Sequence, residues 1–173
     1  MIDEIFPIVD DNGAVVGSAT RKECHSGSMQ LHPVVHLHVV DPDRRSVLLQ
    51  QRARTKKIQP GAWDTAVGGH VDFGEDVHTA LIRESREELG IDASDAEFVC
   101  KYVFQSSIER ELVYVHFMSL PKDIKICANI DEVINVRFWS IEEIEAAMGS
   151  GILTPNFESE FIKIVKPKIL SAL

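Results

Sequence analysis

With 173 residues, 45% of them hydrophobic and 26% charged, the chain has the size and make-up of one soluble globular domain that buries a full core without disulfides or structural metals. A formal net charge of −9 and the lack of any Lys/Arg-rich run exclude the basic face on which nucleic-acid backbones bind, although a phosphorylated ligand stays compatible where divalent cations mediate. Cys24, Cys100 and Cys127 are odd in number and widely spaced, fitting neither a zinc site nor a disulfide framework, so reduced and mostly buried thiols are expected.

The N-terminal "MIDEIFPIVDDNG" has no signal pattern and no stretch approaches 18 consecutive apolar residues, so a cytoplasmic protein without a membrane partner is expected. Residues 4–19 alternate around "DDNG", and Asn12-Gly13 reads as the two positive-φ positions of a tight hairpin turn. "TRKECHSGSMQ" carries no period and reads as loop. Leu31–Val40 is rich in β-branched residues and reads as a strand, with "DPDRR" turning the chain into a second strand, "SVLLQQRA". Period-two alternation then puts His32, His36 and His38 on one face. "RTKKIQPGAW" is loop, and "DTAVGGHV" is short and apolar around its glycines.

Residues 75–89 read as a helix with Val77, Ala80, Leu81 and Ser85 near one face and Gly90 as a left-handed C-cap. Strands follow near 97–105, 111–119 and 136–140. Ser140 before "IEE" has the form of a capping box that opens a helix to about residue 148. "LTPNFESEFIKIVKPKIL" reads as a proline turn and an amphipathic helix broken at Pro167. Interleaved strands and helices predict an α/β protein with a mixed sheet covered on both faces.

The helix concentrates the chemistry. Glu84, Glu87 and Glu88 are spaced i, i+3 and i+4, so their carboxylates share a face and repel one another by a few tenths of a kcal/mol per pair. On the helix alone, a solvated acidic face relieved by Arg83 and Arg86 explains this as well as a site for Mg²⁺ or Mn²⁺, hard cations that take carboxylate oxygens. The glycines of "AVGGH" favour the metal, because they let a backbone carbonyl approach it.

These residues resemble the Nudix signature, G-x5-E-x7-R-E-U-x-E-E-x-G-U with U a bulky aliphatic. Here it runs from Gly69 through Glu75, Arg83, Glu84, Glu87, Glu88 and Gly90 to Ile91, and Ser85 is the one departure, a matter of packing. The resemblance implies a single Nudix domain over 1–173, with an α/β/α sandwich around a mixed sheet. It implies hydrolysis of a nucleoside diphosphate linked to another moiety, a small phosphorylated substrate. Metal-dependent chemistry suits a pyrophosphate, since divalent cations neutralise its charge and lower the pKa of attacking water. By position, Glu84, Glu87 and Glu88 would hold Mg²⁺ or Mn²⁺ with the carbonyl of Gly68 or Gly69. Glu84 or a later glutamate such as Glu88 would be the general base, Glu75 would support the ligands and Arg83 would orient a carboxylate. Dimers are common among similar proteins, so a homodimer is open.

A second resemblance is to the isopentenyl diphosphate isomerase branch, which uses three histidines and two glutamates for a metal. His25, His32 and His70, with Glu109 and Glu111, match in order. That branch has its essential cysteine where this chain has Gly68, and a glycine has no side chain to protonate an alkene. Isomerase is therefore the second reading, and Glu109 or Glu111 is a candidate for an extra glutamate in hydrolysis. A non-catalytic nucleotide sensor would have lost box carboxylates, and all are present. Trp63, Tyr102 and Phe104 are candidates for stacking on a base, against the alternative of core. Lys56 and Lys57 are candidates for phosphate contact, against that of a solvated loop.

Overall fold

The computed structural model describes residues 4–41, 43, 45–120 and 125–171. The β-branched run forms the central strand β3 (Leu31–Asp41), whose successive residues face opposite layers. Val35, Leu37 and Val39 point into one apolar cluster, while Val34 belongs to another. Beside β3 lie β4 (Ser46–Arg52), β6 (Val67–His70) and β8 (Arg110–Ser119), the last pairing parallel and the others antiparallel. The sheet of seven strands is completed by β5 (Trp63–Asp64), β7 (Glu97–Gln105) and β9 (Val133–Ser140). The turn expected at "DPDRR" includes Pro42 and Arg44, which lie outside the described residues.

Helix α2 (Val77–Leu89) covers one face, burying Ala80, Leu81, Ser85 and Leu89. It starts two residues later than the sequence suggests, because the Asp76 side chain accepts from Thr79 N–H as N-cap. Gly90 closes it at φ 66°. The opposite face is covered by α3 (Ile141–Ala147), opened by the Ser140 capping box, and by the C-terminal helices. Those helices depart from expectation at Pro167. Helix α4 (Pro155–Glu160) runs through a π-helical turn, 161–165, into α5 (Lys166–Ser171) without a break. Lys166 N–H bonds back to the Phe161 carbonyl, and the wider turn just before Pro167 lets the chain continue helical.

The N-terminal hairpin pairs β1 (Ile5–Val9) with β2 (Val15–Thr20). Only Gly13 has positive φ in its turn, so Asn12 does not take the left-handed role read from the sequence. The loop spans Asp10–Ala14 instead, with Asp10 Oδ1 accepting from Asn12 and Ala14 N–H. The segment read as loop after it contains a short helix, α1 (Arg21–Cys24), with a full capping box between Thr20 and Glu23. Of the cysteines, only Cys24 is buried; Cys100 is half-buried and Cys127 exposed, and all three are free. Among the described residues no helix is long and apolar enough to cross a membrane.

Candidate functional site

Strand β6 organises the site by its alternation. In register, Gly69 lies opposite Val35, with Gly68 opposite His36 and His70 opposite Val34. Gly69 therefore faces α2, while Gly68 and His70 face the other side. A Cβ on Gly69 would overlap the Glu84 side chain, so only glycine lets this carboxylate lie against the strand.

On the α2 side, Glu84, Glu87 and Glu88 line one cleft of about 410 Å³ together with Gly68 and Gly69. Arg83 organises the acids. Its Nε and Nη2 donate to both oxygens of Glu75 at 3.0 and 2.8 Å, its Nη1 donates to Glu84 at 2.7 Å and to Glu87 at 3.4 Å, and Nη2 also reaches the His70 carbonyl at 3.0 Å. Burial opposes ionisation of Glu75, but this fork holds its carboxyl below the usual range. Glu88 accepts from Gln50 Nε2 at 2.9 Å and Gly68 N–H at 3.3 Å. Burial, reinforced by the charge of Glu84, still pushes Glu88 up to about 8. Burial raises Glu84 as well. Crowded, partly desolvated oxygen donors with too little positive charge around them fit a hard divalent cation such as Mg²⁺ or Mn²⁺.

Adjoining the cleft, which His70 and Phe6 also line, His25, His32 and His70 bring their ligating atoms within 4.8 Å of one another. His32 Nδ1 donates to the Gln30 carbonyl at 2.9 Å, which leaves Nε2 as a lone pair, buried and without a hydrogen-bond partner among the described residues. His25 Nδ1 is 2.6 Å from Glu109, and its Nε2 is 3.1 Å from His70 Nε2. Glu111 Oε1 stands 3.9 Å from His70 and 4.0 Å from His32. Phe6 stacks on His70 at 4.3 Å between centroids. Burial pulls His70 well below its usual pKa and lowers His32, keeping both rings neutral as ligands must be. Burial, then Glu109, pushes Glu111 up to about 7.

The family model described as NUDIX domain matches residues 30–157. The chain belongs to the NUDIX family. It is 29% identical to an uncharacterized Nudix hydrolase of Streptomyces coelicolor, over 94% of this chain and 88% of that one. It is also 29% identical to an isopentenyl-diphosphate delta-isomerase of Leifsonia xyli, over 98% and 92%. A solved Deinococcus radiodurans protein shares the fold with a TM-score of 0.73 at 21% identity, covering 95% of this chain and 98% of that one.

Within this Nudix domain the other residues singled out in the sequence separate. Glu109 and Glu111 sit with the histidines rather than with the box carboxylates. Trp63 is buried in the core, edge to face with Trp139 at 5.1 Å, and so is no stacking platform at the cleft. Lys57 is exposed and does not line the cleft; its neighbour Lys56 does, paired with Glu132. Phe104 packs against the core, as does Tyr102. The Tyr102 hydroxyl donates to Glu160 at 2.6 Å and lies 2.8 Å from the Asn156 side-chain amide.

His36 and His38 share a face with His32 as expected, but their partner is the buried Glu160, at 2.9 and 2.8 Å. Burial works against the charged forms, yet Glu160 raises His36 to about 9 and the two imidazoles hold Glu160 well below the usual carboxylate range. Sequence reading also missed Arg21, Glu4, Asn129 and Glu132 at the cleft. Only Arg21 had a local signal, the Thr20–Glu23 capping pattern that fixes α1.

Proposed function

We propose that this Nudix hydrolase is a metal-dependent pyrophosphohydrolase that cleaves the diphosphate of a nucleoside diphosphate linked to another moiety. The observation that carries the reading is the convergence of Glu84, Glu87 and Glu88 with Gly68 and Gly69 on one cleft, organised by Arg83. In it Glu84, Glu87 and Glu88 would hold Mg²⁺ or Mn²⁺, with a carbonyl from Gly68 or Gly69, and the cation would supply charge neutralisation and a more acidic water. Arg83 and Glu75 fix Glu84 in place. Glu84 or Glu88, carboxyls raised by burial, take the proton of water as its oxygen bonds to phosphorus and the bond from phosphorus to the bridging oxygen breaks. Lys56 and Arg21, which line the cleft, receive phosphate oxygens. A screen of nucleoside diphosphate derivatives with Mg²⁺ or Mn²⁺ tests this, comparing wild type with Glu87→Gln and Glu88→Gln. Turnover that survives both substitutions would contradict the carboxylate assignment.

The histidine cluster favours a second reading, isopentenyl diphosphate isomerisation. Its five residues gather, and the unpartnered His32 Nε2 fits a cation that prefers nitrogen. Against it stands Gly68, which faces His36 where the isomerase reading needs a thiol. Conversion of isopentenyl diphosphate to its dimethylallyl isomer at rates comparable to hydrolysis would reverse the ranking.

A further inference from the structure

Each cation that lines the carboxylate cleft among the described residues is already held by an acid. Arg83 serves Glu75 and Glu84, Arg21 pairs with Glu4, and Lys56 pairs with Glu132. Glu4 and Glu132 line the cleft themselves. The Lys56 pair is built into the backbone. Ala53 N–H donates to the Glu132 carbonyl at 3.0 Å, while the Ala53 carbonyl accepts from Lys56 N–H at 3.1 Å. Asn129, which opens the turn carrying Glu132, donates its N–H to the carbonyl of Glu88 at 2.9 Å, so this turn is tied to the box helix.

A glutamate on a lysine offers the same anionic oxygen that a phosphoryl group would. Carboxylates also outnumber cations around the cleft, so its field repels a diphosphate until divalent cations reverse it. We propose that Glu132 and Glu4 are counter-ion guards. They keep Lys56 and Arg21 from binding phosphate-bearing anions until the metal has entered, and then release both to the diphosphate. The inference rests on the pyrophosphohydrolase reading and adds to it an order of binding, cation before substrate, set by residues outside the box.

The test is calorimetric titration of the full chain with inorganic pyrophosphate, in EDTA and in Mg²⁺. In EDTA, Glu132→Gln should bind roughly tenfold tighter than wild type, the size expected when one unit charge is removed a few ångströms from an anion at a partly solvated site. The gain should vanish in Glu132→Gln/Lys56→Ala, and Glu4→Gln should show a smaller gain through Arg21, because that pair is half-exposed and screened by solvent. The guards are overturned if neither glutamine variant tightens binding in EDTA, or if the Glu132→Gln gain persists without Lys56. The parent reading fails separately, if wild type does not bind pyrophosphate in Mg²⁺.

Discussion

The two sides of β6 differ in how their charges are balanced. Toward α2, the box carboxylates crowd a solvent-open cleft, and burial, reinforced by the charge of Glu84, drives Glu88 toward its neutral form against the weaker pull of Lys56. Toward the C-terminal helices, Glu160 is buried more deeply still, yet His36, His38 and Tyr102 meet both of its oxygens. The same residue type is thus left wanting on one side and satisfied on the other. An incomplete set of partners is what a ligand can complete, whereas a closed set holds α4 to the sheet.

Replacing the buried glutamate on each side should have opposite consequences. Glu88→Gln should lower turnover by more than the roughly 10–100-fold typical of residues that only support metal ligands, while leaving the metal-free protein as stable or more so. The sign follows from linkage. A carboxyl raised from 4.5 to about 8 on folding binds more protons in the folded state, so metal-free stability falls as pH rises across that window. Melts in EDTA should show this fall, and Glu88→Gln should remove its share. If Mg²⁺ gives wild type no added stability at pH 8, the cleft does not take the cation.

Glu160→Gln should show the reverse pattern. Removing one partner of a buried ionic cluster costs about 3–5 kcal/mol, read as a lower denaturation midpoint, with any surviving folded enzyme still binding metal. A stability close to wild type would mean that His36 is neutral and its pair with Glu160 is not ionic.

A third effect, smaller again, concerns pH. His36 is raised from 6.5 to about 9, so its contribution is fully present below pH 6.5 and is lost as pH rises through 9. Denaturation midpoints of wild type should fall over that window more steeply than those of His36→Gln. Parallel curves would show that Glu160 does not hold His36 charged.

Much of the α2 side was legible because its signals are local: carboxylates at helical spacing, a left-handed Gly90 and the glycine pair before them. The central strand was legible for the same reason, from β-branched residues in a run. Glu160 was not, because it meets His36 and His38 across more than 120 positions and no local pattern links them. Lys56 and Lys57 are equivalent in sequence, and only the fold of their loop turns one inward. Pro167 misled because a breaker rule assumes α-helical hydrogen bonds, and a π-turn precedes it. The Thr20-x-x-Glu23 pattern was present and would have given α1, whose end carries His25 to its cluster.

Ser85 gives the smallest effect and separates packing from chemistry within the box itself. It replaces an aliphatic residue of the signature, one position after Glu84, and its hydroxyl is fully buried with no hydrogen-bond partner among the described residues. A buried hydroxyl without a hydrogen bond keeps its desolvation penalty, and serine is a weaker helix former than alanine inside a helix. Ser85→Ala removes only that oxygen from a side chain that faces the apolar layer between α2 and the sheet. Stability should therefore rise by about 1 kcal/mol, seen as a melting temperature higher by roughly 2–4 °C for a chain of this length. Turnover should stay at the wild-type level, since Ser85 does not line the cleft. A loss of turnover with unchanged stability would instead place Ser85 in the support of Glu84, and the division between packing and chemistry on this helix would have to be redrawn.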